Sequence, residues 1–255
     1  MNAALQRVIE LRGITLKFKD KVVLNEVTIS VQSRETRVIM GMSGCGKSTL
    51  LSILLGLLTP DAGSVDFKGK NLTQLSRSEL NKVRMKIGMV YQNAALLSSL
   101  TIGENVGLPL QELSTMNSAQ RDAIIQEKLE LVGLQDARNE LPSELSGGMQ
   151  KRAGMARALA LNPELILFDE PTAGLDPINS NLINELIITL RDKQKVTSII
   201  VTHEMESAFA LATQMAFLDK GKMILLGSPD EFRNSDIPIV KDFLGPFSNH
   251  HTSKQ

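Results

Sequence analysis

The stretch GMSGCGKST, Gly41 to Thr49, leaves the chain little freedom in what it can fold into. Gly41, Gly46, Lys47 and Ser48 match G-x-x-x-x-G-K-[ST], the spacing of a phosphate-binding loop. Such a loop needs a strand running into it and a helix running out. Val38 to Met40 supply a short apolar strand, and Thr49 to Leu58 read as a buried helix stopped near Pro60. Glycines let successive backbone N–H groups wrap an anion, and the helix N-terminus adds a favourable dipole. The candidate phosphate contacts are Gly41, Ser43, Gly44, Cys45, Gly46, Lys47, Ser48 and Thr49. In this arrangement Lys47 reaches the terminal phosphates and Ser48 ligates Mg²⁺.

The remaining pattern is that of an α/β protein. From Val8 to Met40 apolar and polar residues alternate, with a turn at Lys19 to Lys21, which predicts antiparallel strands at the front of the fold. DAGSVDFKGKNL reads as a hairpin with Gly63 and Gly69 at its turns, and QMAFLDKGKMILLG as another turning at Lys220-Gly221. A helical region follows Ser76; within it Ser118 to Val132 is periodic and ends at Gly133. Asp176-Pro177 and Ser228-Pro229 are helix starts, with proline at the first helical position. Strands alternating with helices favour parallel pairing in the core. The expected organisation is a single domain over 1–245, a helical subdomain inserted at roughly 93–162, and a loose polar tail over 246–255.

Several polar residues follow buried strands, where α/β sheets place ligands. LILFDE ends in Asp169 and Glu170: Asp169 suits a Mg²⁺ role, direct or through a bound water, and Glu170 is placed to polarise a water. Gln92 follows MVY and is a further candidate for Mg²⁺ or water; His203 follows IIVT. Each alone would more often be structural, but their shared position at strand ends reverses that reading. A second cradle lies far downstream in ELSGGMQKR, Glu144 to Arg152, where Ser146, Gly147 and Gly148 precede a helical stretch. One nucleotide does not need two cradles.

Composition excludes some roles. Lys+Arg and Asp+Glu both number 28, so the basic excess of a dedicated nucleic-acid binder is missing. The longest apolar run, Leu50 to Leu58, is far short of the roughly 20 residues a spanning helix needs. MNAALQRVIELRG lacks the apolar stretch of a secretory signal. The lone cysteine, Cys45, forms no internal disulfide, which fits a reducing cytosol, and reads as a small loop residue ahead of a redox sensor. His250 and His251 are weak as a metal pair.

Taken in order, GMSGCGKST, Gln92, LSGGM, LILFDE, AGLD and VTHE resemble the nucleotide-binding subunit of an ABC transporter over nearly the whole chain. The resemblance implies a P-loop NTPase (RecA-like) core, ATP and Mg²⁺ as ligands, and ATP hydrolysis coupled to transport. Phe18 takes the place of the aromatic that stacks on adenine. Gln92 is the Q-loop glutamine, and Ser146, Gly147 and Gly148 form the signature motif. Asp176 lies in the D-loop, Glu170 is a catalytic residue that polarises a water, and His203 is the switch histidine. The second cradle then serves the nucleotide of a second copy, since cassettes of this family pair head to tail around ATP. Met149 stands where the signature commonly has glutamine.

ELSGGM, QNAALLSSLTIGENVGLPL and GLDPI are together similar to the ATPases of Mce- and Mla-type lipid transporters of bacterial envelopes. This implies phospholipid as cargo, separate transmembrane permease subunits, a lipid-binding periplasmic subunit, and a peripheral position on the cytoplasmic face of the inner membrane. The alternatives are the ATPase of another ABC branch (lipoprotein, amino acid or drug) and a regulatory ABC ATPase of the cell-division type.

Overall fold

The computed structural model describes residues 6–248. The chain divides into two compact units, Met1–Leu80 with Thr197–Gln255, and Asn81–Val196. In chain order the elements are β1 (Arg7–Phe18), β2 (Lys21–Gln32), β3 (Thr36–Met40), α1 (Lys47–Leu54), β4 (Ala62–Phe67), β5 (Lys70–Asn71) and α2 (Arg77–Arg84). Then come β6 (Ile87–Val90), α3 (Ile102–Leu113), α4 (Ser118–Leu131), α5 (Gly147–Leu159), β7 (Leu165–Asp169) and α6 (Pro177–Gln194). The chain returns through β8 (Thr197–Val201), α7 (Met205–Leu211), β9 (Gln214–Asp219), β10 (Lys222–Gly227), α8 (Pro229–Arg233) and α9 (Pro238–Leu244).

The first unit holds an antiparallel sheet in the order β2-β1-β4-β5. It also holds β3 with a parallel neighbour on each edge, β8 and β9, and β10 antiparallel to β9. All five residues of β3 are buried, as a strand covered on both faces requires. One of them is Arg37, and its charge is met locally. Its Nε donates to Glu35 Oε1 at 2.6 Å, while its terminal nitrogens donate to the carbonyls of Ser30 and Met215. Glu35 accepts in addition from the Gln32 amide at 2.9 Å. One buried ion pair thus fastens β3 to β2 and β9.

In the second unit β6 pairs in parallel with β7. Helices α3 and α4 begin with reciprocal caps, Thr101 with Glu104 and Asn117 with Gln120, each satisfying two amides at the helix start. Buried Asn105 bonds the Leu97 amide and carbonyl and fixes the loop before α3. Helix α5 carries Ala153, Gly154 and Ala156 on buried positions, which lets neighbouring backbone approach closely.

The α/β architecture with a front antiparallel sheet matches the expectation, and three local readings change. The first helix runs Lys47–Leu54, not Thr49 to Leu58, because Gly46 itself is the N-cap and the chain turns left-handed at Gly56. Gly63 lies inside β4, and the hairpin turns at Lys68-Gly69 alone. The chain beyond Pro246 is not loose from its start: Gly245–Ser248 form a 3₁₀ turn, and Phe247 stacks on Phe209 with ring centroids 6.0 Å apart. His250 and His251 lie outside the described residues.

Removing one partner of a buried ion pair leaves the other charge stranded. Glu35→Ala is therefore expected to destabilise the protein by about 3–5 kcal/mol. Glu164→Ala, which breaks the half-exposed pair with Lys86, should cost less than about 1 kcal/mol. Urea denaturation of the two variants checks the contrast, and equal losses would contradict it.

Candidate functional site

In the first unit the phosphate loop starts directly where β3 stops. Gly41 has φ 153°, and a Cβ there would sit 2.1 Å from the Leu218 carbonyl oxygen of β9. Gly46 has φ 113°, and a Cβ there would meet Leu24 Cδ2 at 2.8 Å. Neither position admits a side chain, so the loop is pressed against β9 and β2 while Met42, Ser43, Gly44 and Ser48 face outward. Lys47, the first residue of α1, is buried. Its ammonium curls back to donate to the carbonyls of Gly41 at 2.8 Å and Met42 at 3.1 Å. The loop is thus a ring of backbone around a cation, with the first-turn amides of α1 at its rim.

His203 stands two residues past β8. Because β8 is bonded to β3 in parallel, with Val201 opposite Ile39 and the Thr202 amide donating to the Ile39 carbonyl, His203 and the loop leave the same carboxyl edge. Phe18 ends β1 and is half-exposed beside left-handed Lys19.

The second unit repeats this geometry. Val90 of β6 lies opposite Phe168 of β7, so Gln92 and the pair Asp169–Glu170 also leave one carboxyl edge. Glu170 has φ 49°, a left-handed backbone that glutamate seldom adopts without outside support. The Ala173 amide donates to the Glu170 carbonyl at 3.2 Å. Lys151 of α5 donates to that carbonyl at 3.5 Å and to the Ala173 carbonyl. Past Gln92 the chain again turns left-handed, at Ala94 (φ 57°) and Ala95 (φ 51°). Arg157 of α5 holds that turn, donating to the Ala94 and Ala95 carbonyls at 2.8 and 2.7 Å.

Ser146 is the N-cap of α5, and its Oγ accepts from the Met149 amide at 3.4 Å. A Cβ on Gly148 would lie 2.5 Å from Asn179 Oδ1 of α6. Asn179 in turn donates to Asp176 Oδ2 at 2.6 Å. Asp176 caps α6, and hydrogen bonds from the Asn179 backbone and side chain hold its carboxyl below the usual carboxylate range. Gly148 and Asp176 therefore meet through Asn179.

Sequence reading missed Lys151, Arg157 and Asn179. The available signal for the first two was three cations, Lys151, Arg152 and Arg157, on a helix otherwise rich in Ala and Gly.

The donors named for Mg²⁺ are a hydroxyl (Ser48), an amide (Gln92) and one carboxylate (Asp169). Among the described residues no cluster of three or more His, Cys, Asp or Glu is set to hold a metal. That donor set fits an ion that keeps phosphate oxygens and waters in its shell.

The family model described as "ABC transporter" matches residues 24–173. This chain belongs to the ABC transporter family. It is the ATP-hydrolysing, ATP-binding cassette of such a system. It is 38% identical to the "intermembrane phospholipid transport system ATP-binding protein MlaF" of Haemophilus influenzae, over 94% of this chain and 90% of that one. It is 37% identical to the "probable ribonucleotide transport ATP-binding protein mkl" of Mycobacterium leprae, over 92% of this chain and 68% of that one. A dimeric ATP-binding cassette solved in a post-hydrolysis state with ADP and Pi superposes with a TM-score of 0.79 at 34% identity, covering 86% of this chain and 98% of that one.

In this ABC cassette Cys45 is buried in the phosphate loop. Burial pushes its thiol up, with the Lys47 ammonium as a partial counterweight. A raised pKa lowers the thiolate fraction at any pH below it, which argues against a redox sensor. Iodoacetamide at pH 7.5 is expected to label Cys45 at least about tenfold more slowly in folded protein than in urea. Equal rates, read by mass spectrometry, would contradict the buried neutral thiol.

Proposed function

We propose that two copies of this cassette close head to tail around ATP and drive a permease that moves phospholipid across the bacterial envelope. The observation that carries the reading is a pair of glycine-flanked helix N-termini on one chain, at Lys47 and at Gly147. The first is built as a nucleotide cradle. The second is capped by a serine whose oxygen accepts from its own helix, leaving the hydroxyl proton to be donated outward. Such a cap suits the γ-phosphate of an ATP held by another copy.

The proposed roles follow from the chemistry of each group. Phe18 stacks on adenine. The loop from Gly41 to Thr49, with Ser43, Gly44, Cys45 and Gly46 between, binds the phosphates, and Lys47 offsets charge on the terminal pair. Ser48, Gln92 and Asp169 hold Mg²⁺, which when bound neutralises charge on the β- and γ-phosphates. Glu170 orients the attacking water and takes its proton, and His203 contacts the γ-phosphate. Ser146, Gly147 and Gly148 complete the site of the partner copy, with Asp176 beside them.

Among the described residues no helix is long and apolar enough to cross a membrane. By likeness to the phospholipid-transport relative, the proposal places the cassette on the cytoplasmic face of the inner membrane, held by separate permease subunits. A lipid-binding periplasmic subunit completes the assembly. An open groove of about 420 Å³ in the second unit, lined by Met85, Tyr91, Leu108, Pro109, Leu113 and Arg157, is the proposed seat for a permease helix. It is mostly apolar, and Tyr91 in its wall directly precedes Gln92.

Two relatives carry names with different cargoes, phospholipid and ribonucleotide. Cassette and co-purified permease, reconstituted in vesicles, should move labelled phospholipid and not ribonucleotide in an ATP-dependent manner. The reverse result favours another transporter branch. The pairing is tested apart from cargo by mixing Lys47→Ala with Ser146→Arg. Neither homodimer contains an intact composite site, but the mixed dimer contains one. Mg-ATP is expected to associate the differently tagged variants only when mixed. If each chain completed its own site, mixing would restore nothing.

A further inference from the structure

We infer that Lys151 is a positioning residue for ATP hydrolysis: it holds the backbone of Glu170 and ties it to the helix that begins at Ser146. The inference deepens the proposed function and rests on the role given there to Glu170.

Lys151 lies on the buried face of α5, with only 8% of its surface exposed. A buried ammonium is tolerated only where acceptors surround it. Two of those acceptors are main-chain carbonyls, Glu170 at 3.5 Å and Ala173 in a short contact. They bracket the turn that leaves β7, and the Ala173 amide closes the same turn onto the Glu170 carbonyl. Within that turn Glu170 has φ 49°. Left-handed backbone in a β-carbon-bearing residue relaxes toward extended or helical φ unless its neighbours fix it. Relaxation at φ swings the Cα–Cβ bond and carries the carboxylate with it. Two donors on one carbonyl are what fix it here.

The stem of this tie is also informative. Lys151 is five residues from Ser146, the N-cap of the same rigid helix. A displacement of the signature serine therefore moves the Lys151 ammonium, and with it the Glu170 turn. Filling the cradle of the partner's nucleotide and setting the base of the chain's own hydrolysis become one mechanical event.

The test uses the full chain. Lys151→Met keeps the apolar stem and removes the donors. The expected result is a fall in kcat of roughly ten- to hundred-fold, the cost of a base displaced by about 1 Å. KM and the ATP dissociation constant should stay within about twofold, because the phosphate contacts are elsewhere. Lys151→Arg, which restores a cationic donor, should recover most of the loss. Combined with Glu170→Gln, Lys151→Met should slow hydrolysis no further, since both remove the same contribution. Wild-type kcat in Lys151→Met, or multiplicative losses in the double variant, would overturn the inference. If Lys151→Met lacks a cooperative thermal transition, Lys151→Gln, with a neutral donor on a shorter stem, carries the same comparison. The underlying role fails separately: wild-type turnover in Glu170→Gln removes Glu170 from catalysis whatever Lys151 does.

Discussion

Parallel hydrogen bonding on both edges of β3 is the constraint on which the phosphate loop of the first unit depends. With β8 on one side and β9 on the other, β3 has no freedom to slide. A slip of one residue would turn every side chain to the opposite face. It would also move Gly41 away from the Leu218 carbonyl, against which a Cβ has no room. The other end is held by a different device. Arg37 reaches the Ser30 and Met215 carbonyls while Glu35 meets its charge. A strand fixed by a buried ion pair at its start and by a backbone contact at its end presents a loop of fixed geometry. That is what a binding site made mostly of N–H groups needs.

Helix α5 plays the corresponding part in the second unit, by other means. Ala153, Gly154 and Ala156 give it a thin buried face, so that a Cβ on Gly154 would lie 3.1 Å from the Ala94 carbonyl. Close approach brings loop carbonyls within reach of Lys151 and Arg157. Each cation holds a left-handed turn next to a candidate catalytic residue, Glu170 in one case and the chain past Gln92 in the other. Burial pushes the Arg157 guanidinium down, but an arginine starts so far above neutral that it keeps its charge. The turns are strained locally and supported from one helix.

Much of this was legible in the sequence because it rests on local chemistry. A glycine-rich loop between an apolar strand and a helix predicts its own surroundings. Asp176-Pro177 announces α6, with the carboxylate accepting from the Ile178 and Asn179 amides. The ends of β7 and β8 follow from runs of apolar residues that stop at a polar one. What escaped depends on pairs distant in sequence. Nothing near Lys151 says that its ammonium meets a carbonyl 19 residues later, and nothing near Arg157 points back 63 residues to Ala94. The left-handed φ of Glu170 escaped for the same reason: its support lies on another element. The boundary of α1 was misjudged because Gly46 was counted only as a loop residue, although a left-handed glycine also serves as N-cap.

The departure at Met149 leaves the cap of α5 in place. The resemblance to ABC cassettes places glutamine at that position, and a lost amide side chain would matter if the cradle used it. The structure caps α5 with the Met149 main-chain N–H, bonded to Ser146 Oγ, a contact any non-proline residue provides. The neighbouring amide side chain does separate work. Gln150 Nε2 donates to the Pro142 carbonyl at 2.9 Å and the Leu145 carbonyl at 3.2 Å, fixing the segment that leads into Ser146. The start of α5 is therefore built from a hydroxyl, two glycines and backbone amides, and braced from position 150. Met149 enters the cap through its main-chain N–H, so the cap itself does not depend on which side chain stands there.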